Sequence, residues 1–444
     1  MSLIKTESGS ATKTAEELHP PTTKLIPDWH EAGPIEDLQE TLEYAISPKS
    51  YLVRRLGKDL VEQRSQLLSL CPEFVDRDLY GKGVHKQHFE QHIASLLGKK
   101  HGLFFITGIQ AQLTALKIHC ANAGNERVAW HHRSHLEIAE EGGYAEVFRL
   151  QRTFLGTSPL EVPTVADVEV LTALPVEERP AVMLLELPNR ELGCKTYPWE
   201  DLVQISKLCK EANVKLHMDG ARLWEIEPFY HASGKSFAEL AALFDSVYVS
   251  FYKGLGGTCG AMLTSSDEGF IEEAKTWQRR LGGNMVTSYA EIIDCERGFN
   301  LHIGTFDIKW RKMCLVAKAI TEATKTYRTD DEKPIVFFDP VPMCAQVHTH
   351  IQGITAEKLL AARDEVEQKY HIRVFGSIRP WKPLSENPYS MKLSSVDEKD
   401  KLKDVKEETH HFVEWAIREE NLRISEDIFA KAWKVLCRLI VTPQ

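Results

Sequence analysis

The chain has 444 residues, 43% of them hydrophobic and 27% charged, which is enough for a large core and more than one domain. Its formal net charge of −10 has the wrong sign for a phosphate-backbone binder, so nucleic acid is not expected as a partner. Its apolar runs fall far short of the ~20 residues needed to span a bilayer, and no membrane role is expected either.

In chain order, the first 26 residues are polar, with Lys and Glu mixed and no apolar stretch of a secretory signal. They read as a flexible tail, set at residues 1–29, followed by a segment over 30–77 expected to pack on a smaller domain. From about 85 to 265 helical periods alternate with short apolar runs, the signature of an α/β sheet. "HFEQHIASLLG" (88–98) predicts a helix, "GLFFI" (102–106) a buried strand, and "GIQAQLTALKIHCANAG" (108–124) a helix stopped by Gly124. "AVMLLEL" (181–187) is a second strand, "PWEDLVQISKLCKEAN" (198–213) a helix, and "VKLHMD" (214–219) and "SVYVSFY" (246–252) two more strands. A long helical stretch covers 295–327. Beyond it the pattern changes to that of a smaller α+β unit. The nine cysteines contain no C-x-x-C pair, which suits reduced thiols and a cytoplasmic location. The histidine groups at 131–135, 348–350 and 410–411 lack paired zinc spacing, and no metal is expected.

Three strands end in polar residues, at Glu186, Asp219 and Lys253. Ligands of parallel sheets bind beyond the carboxyl ends of the strands, so an acid and a lysine are expected to face one crevice. "SFYKGLGGTCG" (250–260) is not a P-loop, because the lysine precedes the glycines instead of following them. The parts match what pyridoxal phosphate requires. A lysine forms a Schiff base, a carboxylate keeps the ring nitrogen protonated, and a helix N-terminus takes the phosphate. Lys253, Asp219 and "TGIQAQ" (107–112) would supply these, with His135 over the ring.

"HMDGARLW" (217–224), "DSVYVSFYKGLGG" (245–257) and "RRLGGNM" (279–285) resemble the threonine aldolase / β-eliminating lyase family of fold-type I pyridoxal phosphate enzymes. The likeness runs from about Tyr80 to Met285 and weakens beyond. It implies an α/β fold of the pyridoxal phosphate-dependent transferase type. That fold is a mostly parallel seven-stranded sheet with helices on both faces (78–310), plus a smaller α+β C-terminal domain (311–444). It also implies that Lys253, His135 and Asp219 are catalytic, and that Thr107, Gly108, Ile109, Glu186, Arg222 and Ser250 join them in holding the cofactor. "HLEIAEEGG" (135–143) puts Glu140 behind His135. Arg222, Tyr80, Asn189 and Lys392 are the substrate-binding candidates. The chain departs from the family pattern at Pro188 and Asn189, where Thr-His is usual, at Tyr252, where a Ser is usual, and at "MKLSSV" (391–396), which stands for an Arg-containing strand.

The resemblance implies cleavage of the Cα–Cβ bond of a β-hydroxy-α-amino acid, giving glycine and an aldehyde. β-Elimination or another Cα transformation is the rival reaction, and a cofactor-binding protein with little turnover is the rival class. A homodimer or homotetramer with shared sites is expected by analogy.

Overall fold

The computed structural model describes residues 22–26, 33–72, 77–381 and 409–441. Most of the expected tail (1–29) and Lys392 lie outside them.

Strand burial follows the alternation of side chains across a pleated sheet. Seven strands form the main sheet: β1 (His101–Phe105), β2 (Arg127–Trp130), β3 (Gln151–Phe154), β4 (Val182–Glu186), β5 (Lys215–Gly220), β6 (Ser246–Ser250) and β7 (Ala261–Ser265). Their order is β1-β7-β6-β5-β4-β2-β3, parallel except for β7, which is antiparallel to both neighbours. Along β4, Met183 and Leu185 enter one apolar core while Val182 and Leu184 enter the other. A sheet buried on both faces needs such near-continuous apolar strands, and helices cover both sides.

The helices that matter for the site are α1 (Pro34–Ile46), α2 (Pro48–Leu56), α3 (Val84–Leu96), α4 (Gly108–Ala123), α5 (Trp199–Glu211), α6 (Leu223–His231), α7 (Glu268–Arg280), α8 (Tyr289–His302) and α9 (Phe306–Thr324). Leu113 and Leu116 of α4 and Phe270 and Ile271 of α7 pack on one face. Phe89 of α3, Ile205 of α5, Trp224 of α6 and Phe299 of α8 pack on the other. Tyr44 of α1, Tyr51 and Leu52 of α2, and Val61 join that second core. The segment after residue 33 therefore packs on the larger unit instead of the smaller one expected for 30–77, because α1 and α2 lie against α8.

Two further differences have local causes. The helix expected over 295–327 is two helices, broken at Gly304, whose φ of 75° is in the left-handed region. The strand expected over 246–252 stops at Ser250, because the Phe251 carbonyl turns to accept from the Gly257 N–H and the Tyr252 N–H turns back to the Ser250 hydroxyl.

The smaller unit is an antiparallel sheet of β8 (Val336–Phe338), β9 (Gln346–Gln352), β10 (Arg379–Pro380) and β11 (His410–Ala416), in the order β10-β11-β9-β8. Val347, Ile351, Val413 and Trp415 on one face join a core with α9, α10 (Ala356–Tyr370) and α11 (Glu426–Val441). The alternate residues Gln346, His348 and Glu414 take the other face, where Gln346 and Glu414 meet the large unit's Arg222 and Arg190. α9 starts in the large-unit core at Phe306 and continues into the small-unit core at Ile320, so it runs through the expected boundary at 310/311.

Candidate active site

The carboxyl ends of the parallel strands converge as the sheet topology dictates. Glu186 and Asp219 are register partners at the ends of β4 and β5, so two carboxylates stand side by side. Three residues past the end of β6 comes Lys253. One cavity is lined by Ile109, Gln112, His135, Glu140, Glu186, Pro188, Arg190, Asp219, Arg222, Tyr248, Tyr252 and Lys253. It adjoins a larger cleft of about 470 Å³ that shares Arg190, Arg222 and Lys253 and is closed on the far side by Arg379, Phe412 and Glu414 of the smaller unit.

Buried charge sets the protonation of these groups. Burial lowers the Lys253 amine to about 8, and the Arg222 and Arg190 charges add to the effect. Its Nζ lies 4.6 Å from the Tyr252 ring centroid, a cation–π contact. Burial, then the Asp219 charge, pushes the Glu186 carboxyl up to about 8. Asp219 is also raised by burial, although the Ala221 N–H, 3.0 Å from Oδ1, and the Gln112 amide oppose the shift. Burial would depress the His135 imidazole, but Glu140, whose Oε1 is 2.9 Å from Nδ1, outweighs it and raises the ring above its ordinary value. The His135 N–H donates to Glu186 Oε1 at 2.6 Å, tying the ring's own segment to the strand end.

At the other end of the cavity α4 begins. The Thr107 side chain caps it, accepting from the Gln110 N–H at 3.3 Å, while the Ala111 N–H goes to the Thr107 carbonyl. The N–H groups of Gly108 and Ile109 have no acceptor among the described residues, which leaves two donors at this helix start for an anion to use. Gly108 has to be glycine, because a Cβ there would meet Tyr248 Oη at 1.9 Å. Gly254, directly after Lys253, is less tight but still close, a Cβ there meeting the Glu225 side chain at 2.8 Å, and its N–H donates to Glu225 Oε1 at 3.1 Å.

The structure thus brings Ile109, His135, Glu186, Asp219, Arg222 and Lys253 around one space, with Thr107 and Gly108 at its helix start. Other expected residues lie elsewhere. Ser250 is fully buried and its hydroxyl accepts from the Tyr252 N–H at 3.3 Å, so it serves the turn. Asn189 is also turned away, its Oδ1 capping the 190–192 turn through the Leu192 N–H at 3.2 Å. Tyr80 is half exposed and packs near Arg279 outside the cavity. Lys392 is outside the described residues. Sequence reasoning missed Gln112, Arg190, Arg379 and Glu414. Of these only Gln112 carried a signal, because it is one helical turn beyond Gly108 and so faces the same way.

These residues fit pyridoxal phosphate. Asp219 is buried with no cation in contact among the described residues, which leaves it for a ring N–H, and Gln112 Oε1 and Glu140 Oε2 are buried without a partner beside it.

A family model described as β-eliminating lyase matches residues 73–333. The chain belongs to this family. An uncharacterized protein of Caenorhabditis elegans is 26% identical over 72% of this chain and 76% of its own length. The low-specificity L-threonine aldolase 1 of Arabidopsis thaliana is 30% identical over 49% of this chain, and the match spans only 60% of that relative. A putative L-allo-threonine aldolase of Listeria monocytogenes superposes with a TM-score of 0.71 at 29% identity, covering 94% of this chain and 95% of that one. The fold is fold type I of the pyridoxal phosphate enzymes, as the resemblance implied. Among the described residues no helix is long and apolar enough to cross a membrane.

Proposed function

We propose that the chain is a pyridoxal phosphate-dependent lyase that cleaves the Cα–Cβ bond of a β-hydroxy-α-amino acid, releasing glycine and an aldehyde. The observation that carries this reading is the convergence of Lys253, Asp219 and His135 on a single buried cavity that opens at the start of α4.

When bound, the cofactor supplies an electron sink for the pair left at Cα. The chain supplies the rest. Lys253 is the attachment point, and its lowered basicity leaves a useful fraction of free amine at neutral pH. Asp219, buried and acceptor-only, holds a ring nitrogen in its protonated form. Gly108 and Ile109 N–H groups take the phosphate. Arg222 has its Nε committed to Gln346, 2.9 Å away, and presents its remaining donors to a substrate carboxylate. His135 is fixed through Nδ1 by Glu140, so Nε2 is the atom placed to take or return the proton of the β-hydroxyl.

The chain works as a homo-oligomer in the cytoplasm. Leu79, Tyr80, Val84, Ile109, Met285, Val286 and Tyr289 form an exposed apolar surface next to the site that a second copy would cover.

The decisive experiment is absorbance of the purified protein with cofactor, followed by an amino-acid screen that measures glycine, aldehyde, ammonia and keto acid together. Lys253→Ala should abolish the visible-edge absorbance and its borohydride-reducible linkage. Survival of either would move the attachment point elsewhere, and ammonia with keto acid in place of glycine with aldehyde would favour elimination.

A further inference from the structure

The cleft between the two units is crossed by a ring of alternating charge. Arg190 and Glu191 come from the turn after β4, Arg379 from β10 and Glu414 from β11. Arg190 is bidentate to Glu414, with Nε–Oε1 2.6 Å and Nη2–Oε2 2.5 Å. Arg379 Nη1 donates to Glu414 Oε2 at 3.1 Å, and Nη2 to Glu191 Oε2 at 3.0 Å. Arg190 Nη1 closes the ring on Glu191 Oε1 at 3.2 Å.

One more bond leaves the ring toward the site. Gln346 Nε2 donates to Glu414 Oε1 at 2.6 Å, and Gln346 Oε1 accepts from Arg222 Nε at 2.9 Å. The side-chain amide of Gln346 has two ends of nearly equal shape, and packing alone does not say which end faces which neighbour. Arg222 can only donate, so it needs the oxygen. A carboxylate can only accept, so it needs the nitrogen. Burial would raise the Glu414 carboxyl, but the Arg190 hydrogen bonds and charge carry it down to about 2, so it stays ionised throughout the working pH range. Glu414 therefore dictates the direction of the amide, and the amide in turn fixes the plane of a guanidinium that is itself buried.

We propose that Glu414, acting through Gln346, is a positioning residue that aims Arg222 at the substrate carboxylate. This rests on Arg222 being the carboxylate anchor in the reading above. It also makes substrate recognition depend on the seating of the smaller unit, because β9 and β11 carry both relay residues while Arg222 belongs to the larger unit.

The test compares two probes on the cofactor-loaded protein, glycine and methylamine, which differ by the carboxylate alone. Dissociation constants are read from the change in cofactor absorbance. Gln346→Met leaves the charge ring intact and keeps the side-chain volume, so it is the primary variant, and Glu414→Gln is the second. Both should weaken glycine by about tenfold or more, the scale of one charge-assisted hydrogen bond. Methylamine affinity should change less than about twofold. Equal weakening of both probes, or no weakening of glycine, would overturn the relay while leaving the site reading intact. A wild-type protein that binds cofactor but responds to neither probe would sink the site reading and the relay with it.

Discussion

At the scale of single residues, Lys253 and Glu186 are the groups whose protonation burial has changed most usefully. A lysine at about 8 holds roughly 300-fold more free amine at pH 7 than an exposed lysine. Capture of the cofactor aldehyde needs that free amine. The rate of cofactor uptake by the apo-protein should therefore fall about tenfold per pH unit below 8 and level off above it. Rapid-mixing absorbance from pH 6 to 10 checks this, and a rate still rising tenfold per unit above pH 9 would mean an unperturbed lysine. Glu186 moves the other way, its folded value of about 8 standing above the ordinary 4.5. The unfolded chain releases this proton first. Between pH 4.5 and 8 the folded state binds more protons, so this group makes the apo-protein less stable as pH rises, and the effect ends above 8. Its slope is at most about 1.4 kcal/mol per pH unit. Glu186→Gln keeps an acceptor for the His135 N–H and removes the titration. Denaturant unfolding of both apo-proteins should show the variant gaining on wild type from pH 5.5 to 8, whereas parallel curves would return Glu186 to an ordinary carboxylate.

At the scale of elements, the start of α4 carries the sharpest constraint. Replacing a helical glycine by alanine ordinarily stabilises by roughly 0.5–1 kcal/mol. At Gly108 the sign reverses, because the new Cβ would lie 1.9 Å from a buried phenol oxygen and force the helix start away from β6. Gly108→Ala should lower the melting temperature and weaken cofactor binding about tenfold or more, since the phosphate donors move with the helix. A more stable variant with wild-type affinity would refute the constraint. The helix itself was legible from its periodicity, with Thr107 before it and Gly124 after it. So were β4, β5 and β6, since strands buried on both faces are apolar throughout and their polar ends stand out. β7 was not, because "AMLTS" follows the glycine loop with only three apolar residues. Asn189 was expected in the site because it stands where the family has a substrate residue. The turn beyond Pro188 instead gives it a capping role and swings the next residue, Arg190, into the cleft. Glu414 could not be found from the chain alone. Its place depends on the register of β11 against β9, which brings together residues 68 positions apart.

At the scale of the whole molecule, the surface beside the site argues for a second copy. The Tyr80 N–H bonds the Val286 carbonyl at 2.9 Å, and Asp78 Oδ1 accepts from the Ser288 N–H at 2.7 Å. A Cβ on Gly283 would overlap the Gln110 side chain, so the 279–289 turn also touches the start of α4. Three segments distant in sequence thus come together and expose apolar side chains beside the cavity, Val286 at 57% and Ile109 at the cavity edge. An exposed apolar surface of this kind marks a contact site, and here its cover would also shield the phosphate end of the cavity. Val286→Asp places a charge in the middle of that contact. It should convert an oligomer to a monomer in sedimentation velocity and weaken cofactor retention at the same time. Val176 is more exposed, at 75%, and lies outside these three segments, so Val176→Asp should leave both properties unchanged. A monomeric wild-type protein, or a Val286→Asp variant that stays assembled, would show that this surface faces something other than a second copy.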